Sequence, residues 1–491
     1  MDYYPTGVWI AAPCRYRVAI QAITPHQLTE CEMIKDLTSF IAKVKEEQPG
    51  DVLRISRPTQ PHNFDCTALL QHLDDRGQFP LTIFDNAENL LGKRSEYVLL
   101  MNLFGKRERI ALALDMPASQ CKLPLSLEFG KREQRQIPPI EISRGEAPVQ
   151  EVVETGADTD IRKLPIPRHH EMDIGSYITM ATVVRDPDDG SYNVSFVKSF
   201  CNNPQSIVTC IHSAHHMRIQ KKYEARGLRM PIVHVLGHHP AFYLGSLALT
   251  PIERDDYATI GSFLGQSLRL VPSVTWGDKF MVPADAEVLI EGELPPGVRD
   301  VMNPFGEFAR DYQPQHLRPI TEITAITHRK NALMQGVFPG HAGHWNLGSV
   351  PKEGSVYNDI KVHFPSVTAV HLPHSAAGRM ACYISMKKTK EGEAKLMGLQ
   401  ALLSVSFVQW VIVVDDNIDV YNERDVLWST ISYVNPKRDI TFIENAGNSY
   451  VTGRTKVVID ATKPLDHPMP CMIRVPEEAM ARVNPDEWLK G

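Results

Sequence analysis

In the stretch DVMNPFGEFARDY (Asp300–Tyr312) a lone carboxylate, Glu307, follows a turn and comes five residues after Met302. Pro304 presets φ and Gly306 permits a positive one, so Asn303-Pro304-Phe305-Gly306 has turn chemistry. Glu307 therefore has two readings. It is a solvated acid beside a surface turn, as most Glu residues are, or it is the proton donor of a site. Three histidine-rich spots, His169/His170, His212/His215/His216 and His234/His238/His239, carry potential metal ligands. None has the HExxH pattern or the spacing of a closed zinc centre, so zinc is poorly supported. The patterns of a nicotinamide fold, a P-loop and an α/β-hydrolase nucleophile are all missing.

The elements that must position such residues are legible from periodicity. In MIKDLTSFIAKVKEE, Ile34, Leu37, Ile41 and Val44 follow helical spacing. DVLRIS, LTIFDN and YVLLMN read as strands, and FDCTALLQHLDDRG and GKRERIALALDM as helices. A Pro-rich stretch over 128–167 marks a domain boundary. From there to about Arg329 the chain is strand-rich: SYITMATVVRD, YNVSFVKSF, QSIVTCI, PIVHVLG, AEVLIEGEL and ITEITAITHR, with one helix, HHMRIQKKYEARG, inserted. The last third returns to α/β. Its strands are VTAVHLP, ACYISMK, WVIVVDD and TKVVIDAT, and its helices AKLMGLQALLSV and RDVLWSTISYV. The predicted division is an N-terminal α/β domain over 33–140, a barrel-like β domain over 141–330 and a C-terminal α/β domain over 331–491. Residues 1–32 read as an extension, either disordered or a start-site artefact with Met33 as the native start.

Composition bounds the function. At 491 residues the chain is too long for one ordinary core. A net charge of −6, with no basic run, argues against a nucleic-acid partner. The longest apolar runs, such as FVQWVIVV, fall short of the roughly 20 residues that span a bilayer. Eight scattered cysteines with no CxxC pair exclude a disulfide framework and fit a reducing cytoplasm.

The order of the motifs resembles that of the UbiD-type decarboxylases. NLFGKRERIALAL, KLPIP, NVSFVK, GHHPAFYLG, DDYATIGSFLG, VLIEGEL, NPFGE, ITHRKNA, WVIVVDDNIDVYNERDVLW and VVIDATKP occur in the family's order between about Met33 and Pro464. The resemblance implies an α+β multidomain fold: an N-terminal α/β domain, a split β-barrel that binds flavin, and a C-terminal α/β domain that oligomerises. It implies prenylated FMN supplied by a flavin prenyltransferase, Mn²⁺ or Mg²⁺ with K⁺ nearby, a small carboxylic acid substrate, and a homodimer or hexamer. It also implies metal ligands at Asn193, His215 and Asp256, where Asp256 replaces the family's Glu and shortens the reach by one methylene. His216 is the alternative ligand if the register slips by one. Amide, imidazole and carboxylate donors suit Mn²⁺ or Mg²⁺.

The family's catalytic trio is altered. Lys198 stands where the resemblance places an Arg, Met302 replaces the first of two acids, and Glu307 keeps the second. Asp300 lies two residues from the lost acid on a turn too rigid to let it substitute. Breaking a C–CO₂ bond leaves a carbanion, which needs an electron sink that no side chain supplies, and then a proton donor. Glu307 is the expected donor, with a pKa raised by burial, while Lys198 facing it alone would lower that pKa. Lys198 then binds the substrate carboxylate or takes part in proton transfer itself. Met302 and Phe308 are expected in the substrate pocket. Lys198, Lys387, Gly237 and Pro240 are expected near the cofactor, with Lys388 beside Lys387 as a further phosphate contact. A non-catalytic accessory subunit of a larger carboxylase, or a plain FMN oxidoreductase, are the competing readings.

Overall fold

Alternating β-branched and aromatic stretches in the middle of the chain form six strands that close on themselves. The computed structural model describes residues 34–201, 203–302, 304–447, 455–467 and 472–488. The expected extension over 1–32, and Asn303 of the turn, lie outside them. The barrel strands are β1 (Tyr177–Arg185), β2 (Tyr192–Cys201), β3 (Ser206–Cys210), β4 (Met230–Val235), β5 (Val288–Leu294) and β6 (His316–His328). They pair antiparallel in the order β1-β2-β3-β6-β5-β4, and β4 returns to β1. Closure removes the unpaired edges that an open sheet of this size would leave. The register opposes Asn193 to Val184 and Lys198 to Thr179.

Three helices, not one, sit among these strands: Ala214–Ala225, Pro240–Gly245 and Asp256–Leu264. The last two are buried along almost their whole length, so they lack the polar face that makes helical periodicity visible. On the N-terminal side a four-stranded sheet joins Val52–Ile55, Leu81–Phe84, Val98–Met101 and Leu333–Gln335. The last of these follows the barrel in sequence. A five-stranded sheet on the C-terminal side orders Val367–His371, Ala381–Met386, Trp410–Asp415, Lys456–Asp460 and Ile440–Ile443. A 22-residue helix, Ala342–His363, has no counterpart in the sequence reading. Its glycines and internal Pro351 read as loop. In the structure Gly354 lets it approach the helix Leu123–Glu133, because a Cβ there would overlap the Ser126 carbonyl.

That helix is anchored by a charge. Glu353 is fully buried and accepts from Arg107 at 2.7 and 3.2 Å, from Ser126 Oγ at 3.0 Å and from the Leu372 N–H at 3.1 Å. His371 Nδ1 lies 2.8 Å away. Burial would raise its carboxyl, but the Arg107 charge and the His371 hydrogen bond together hold it far below the ordinary range. Removing one partner of a buried pair leaves an uncompensated charge, which typically costs about 3–5 kcal/mol. Arg107→Ala is therefore expected to lower unfolding free energy by about that amount in a urea titration.

Candidate active site

Lys198 reaches its place from β2, and Glu307 from a loop that the surrounding backbone holds firmly. Phe305–Gly306 pairs with Tyr312–Gln313 in a short ladder. The buried Asp173 accepts from the N–H groups of His169 (3.1 Å), His170 (2.9 Å) and Gly306 (2.9 Å). Any side chain at position 306 would overlap the His170 ring, which is why glycine follows Phe305. Trp345 Nε1 donates to the Phe308 carbonyl at 2.8 Å and ties the loop to the helix Ala342–His363. The outcome is an ion pair between Lys198 Nζ and Glu307 Oε1. The second Glu307 oxygen accepts from the Phe308 N–H at 3.1 Å. Lys198 Nζ also sits 4.4 Å from the centre of the Phe305 ring, a cation–π contact.

The pair lines a cavity of about 350 Å³ together with Met302 and Phe308. Met302 is fully buried, packed with Tyr177, Val208 and Phe305. Asp300 does not line the cavity; its Oδ1 accepts from the Val301 N–H at 2.7 Å. Arg318, His344 and Arg379 also face this space, and the sequence reading missed all three. A larger, more open cleft of about 770 Å³ is lined by Arg107, His371 and His374 among others, but by none of the predicted site residues.

The sequence reading set two opposed influences on the Glu307 pKa, burial upward and Lys198 downward; in the structure the second prevails. Burial does push the carboxyl up, but the charge and hydrogen bond of Lys198 and the Phe308 N–H outweigh it, so the net shift is downward. Burial lowers the Lys198 ammonium, Glu307 raises it, and the net shift is also downward. Each partner thus favours the charged form of the other, a carboxylate facing an ammonium. Lys198→Met deletes the main lowering influence and leaves burial, so Glu307 is expected to titrate at higher pH than in the wild type. The carboxyl ¹³C chemical shift of Glu307 followed against pH checks this.

At the other end of the barrel region three predicted ligands converge. Asn193 Nδ2 lies 2.8 Å from Asp256 Oδ2 and 3.2 Å from His215 Nδ1. Asp256 opens the helix Asp256–Leu264 behind the N-cap Asp255, and His215 lies in the first turn of Ala214–Ala225 behind the N-cap Ser213. The first turns of two helices thus meet at the Asn193 amide, and helix N-termini favour a phosphate. The other oxygen of Asp256 accepts from Thr250 at 2.9 Å, and no cationic side chain pairs with it among the described residues. Burial pushes its carboxyl up to about 7. A buried carboxylate in need of a counter-charge, beside an amide and an imidazole, fits a divalent ion. Among the described residues no group of three His, Cys, Asp or Glu side chains could hold a metal, so the amide and a ligand phosphate would have to complete the shell. His216 turns elsewhere, its Nε2 lying 3.3 Å from the Asn193 carbonyl. Asn193 and Lys198 are five residues apart on β2, about 16 Å at the rise of an extended strand.

Models of three domains of 3-octaprenyl-4-hydroxybenzoate carboxy-lyase match the chain: the N-terminal domain at 45–121, the Rift-related domain at 140–342 and the C-terminal domain at 346–461. The chain belongs to the UbiD family of carboxy-lyases. It is similar to the UbiD-class enzyme HmfF from Pelotomaculum thermopropionicum in an evolved dimeric form in complex with prFMN. That likeness is 30% identity over 93% of this chain and 100% of the other, with a TM-score of 0.82. It is 28% identical over 461 residues to the phenolic acid decarboxylase of Sedimentibacter hydroxybenzoicus, covering 88% of this chain and 92% of that protein. It is also 29% identical over 314 residues to the anhydromevalonate phosphate decarboxylase of Methanothermobacter thermautotrophicus, covering 62% and 74% respectively.

In this UbiD chain the remaining predicted residues lie apart from the cavity. Lys387 is exposed just after the strand Ala381–Met386, its N–H donating to the Ser366 carbonyl, and Lys388 pairs with Glu391 at 2.6 Å. Gly237 has φ +110° and donates its N–H to Tyr243 Oη at 2.7 Å. A Cβ on it would lie 2.6 Å from the Leu333 carbonyl, so its glycine has a packing reason. Pro240 begins the helix Pro240–Gly245. Of the other histidines, His234 is buried in the barrel against Thr182, and His238 stacks on Phe242. Arg318, His344 and Arg379 are 120, 146 and 181 positions from Lys198 by their numbers alone, so no local spacing marks them.

Proposed function

We propose that the protein decarboxylates an aromatic, heteroaromatic or α,β-unsaturated carboxylic acid, reversibly, with prenylated FMN as cofactor and Glu307 as the proton-handling group. The observation that carries this is the Lys198–Glu307 pair lining a partly enclosed cavity, with Lys198 on the same strand as the Asn193 amide that meets His215 and Asp256. A cofactor with a phosphate at one end and a reactive ring at the other matches that separation. Asn193, His215 and Asp256 would hold its phosphate through Mn²⁺ or Mg²⁺, with K⁺ nearby. When bound, the prenylated flavin supplies the electron sink that decarboxylation requires.

The residues of the chain manage charge and protons. Lys198, largely buried, offers the substrate carboxylate a point charge. Met302 and Phe308 supply apolar walls for a ring or an alkene. Closing the cavity around such a substrate strengthens desolvation, and desolvation favours a neutral pair over an ion pair. Once CO₂ has left and Lys198 no longer faces the substrate carboxylate, one proton moves from its ammonium to Glu307, giving an amine and a carboxylic acid. Glu307 delivers that proton to the carbon that lost CO₂, returns to a carboxylate, and Lys198 regains its proton from solvent. In the carboxylation direction Glu307 removes the proton from the same carbon.

Glu307→Gln keeps the shape but cannot carry the proton. It is expected to retain flavin while losing turnover and substrate-carbon H/D exchange by about 10²-fold or more. Undiminished exchange removes Glu307 from the role, and a wild-type holoenzyme that exchanges no acid of the class favours the accessory-subunit reading. Asp256→Ala is expected to purify with little manganese and little flavin by metal analysis and absorbance, with the fold intact by circular dichroism. An unchanged flavin content would move the phosphate site elsewhere.

The assembly is proposed to be a homodimer or a hexamer built from dimers. Leu396 and Leu403 on one helix of the C-terminal side, and Leu427 and Ile431 on another, are each more than half exposed, apolar surface that favours a partner subunit.

A further inference from the structure

The cavity contains more positive charge than its one carboxylate answers. Lys198, Arg318 and Arg379 line it, against Glu307 alone. Lys198 uses that carboxylate. Arg379 has no carboxylate within ion-pairing distance among the described residues, and its Nε is buried without a hydrogen-bond acceptor. The guanidinium is nevertheless fixed in place. One face lies 4.5 Å from the centre of the Phe308 ring. Behind it, Gly348 of the helix Ala342–His363 provides room that any side chain would take, since a Cβ there would overlap Nε. Arg318 Nε is likewise buried without an acceptor. His344 cannot answer the charge: burial, and then Lys198 and Arg379, hold it well below its ordinary pKa, so it stays neutral.

Buried guanidinium groups are normally paired, because an uncompensated charge in a low-dielectric space is costly. A rigid fork with unsatisfied donors, stacked on an aromatic ring and facing a cavity, is the arrangement that binds a carboxylate or a phosphate through two parallel hydrogen bonds. Lys198, on β2, and Arg379, just before the strand Ala381–Met386, enter the cavity from different parts of the fold. A substrate with one acidic group can neutralise only one of them.

We infer that the substrate carries a second anionic group, a carboxylate or a phosphate, that does not leave and that Arg379 holds while the carboxylate to be lost lies at Lys198. This rests on the decarboxylase reading and narrows its substrate class to dianionic acids. Arg379 is then a specificity-determining residue, and Phe308 serves by fixing its plane.

The test is calorimetric binding to protein loaded with unprenylated FMN, so that ligands stay intact. Benzoate, isophthalate and 3-phosphonobenzoate share one ring and differ only in the second group. Wild type is expected to bind at least one of the two dianions about tenfold or more tighter than benzoate, the gain expected for one charge-assisted contact. Which of them binds separates a carboxylate from a phosphate. Arg379→Met is expected to abolish that preference, leave benzoate and FMN affinity unchanged, and raise the melting temperature of the ligand-free protein by removing an unpaired charge. Arg379→Lys, which keeps the charge, is expected to retain part of the preference, and it stands in if the Met variant does not fold. Equal affinity for all three acids, no binding of either dianion, or loss of FMN from both Arg379 variants overturns the inference. Substrate-carbon H/D exchange with mono-acids by the prenylated holoenzyme is scored separately, so the narrower claim can fail while the decarboxylase reading stands.

Discussion

The Lys198–Glu307 ion pair is the constraint on which the site depends. Two opposite charges at hydrogen-bond separation attract by about 5 kcal/mol at an effective dielectric of about 20. Removing each from water costs several kcal/mol. The two magnitudes nearly cancel, so the pair contributes little to stability and is readily altered by whatever enters the cavity. That balance suits the proposed proton transfer, since a small change in desolvation separates the charged state from the neutral one. Met302 sharpens the effect, because it offers no second acid to share the cation.

Strand β2 links this pair to the opposite end of the site. Asn193 and Lys198 ride on one barrel strand paired along its length with β1, and from Lys198 onward with β3 as well, which fixes their separation. At the Asn193 end, His215 and Asp256 come from the first turns of two helices packed beside that strand, and the helix termini add partial positive charge to the proposed metal and phosphate site. At the Lys198 end, charge and apolar walls alternate around a small cavity. The barrel acts as a spacer between two different chemistries.

Much of the architecture was legible because strand periodicity survives in a closed barrel. The stretches from Tyr177 to His328 that alternate, or run apolar and β-branched, are the six barrel strands, and the four expected strands of the last third are all present. Three helices that the pattern hid share one cause. The helix Ala342–His363 and the pair Pro240–Gly245 and Asp256–Leu264 are buried on most sides, so glycine, proline and uniform apolarity replace the amphipathic stripe that marks a surface helix. Within the site, the turn around Gly306 was visible as turn chemistry. Its anchors were not: Asp173 and Trp345 reach it from 133 and 39 positions away by their numbers, and nothing in their own neighbourhoods marks them.

By itself the sequence determined the six barrel strands, the order of motifs that resembles one enzyme family, and the identities of Lys198, Met302 and Glu307, because residue type and local spacing are properties of the chain. Only the tertiary structure decided the ionisation of Glu307, the convergence of Asn193, His215 and Asp256, and the presence of Arg318 and Arg379 in the same cavity. A pKa depends on burial and on charges that arrive from distant segments, and a cavity exists only where such segments meet. The expected sign of the Glu307 shift therefore turned on one neighbour: desolvation alone would have raised it, and Lys198 lowered it.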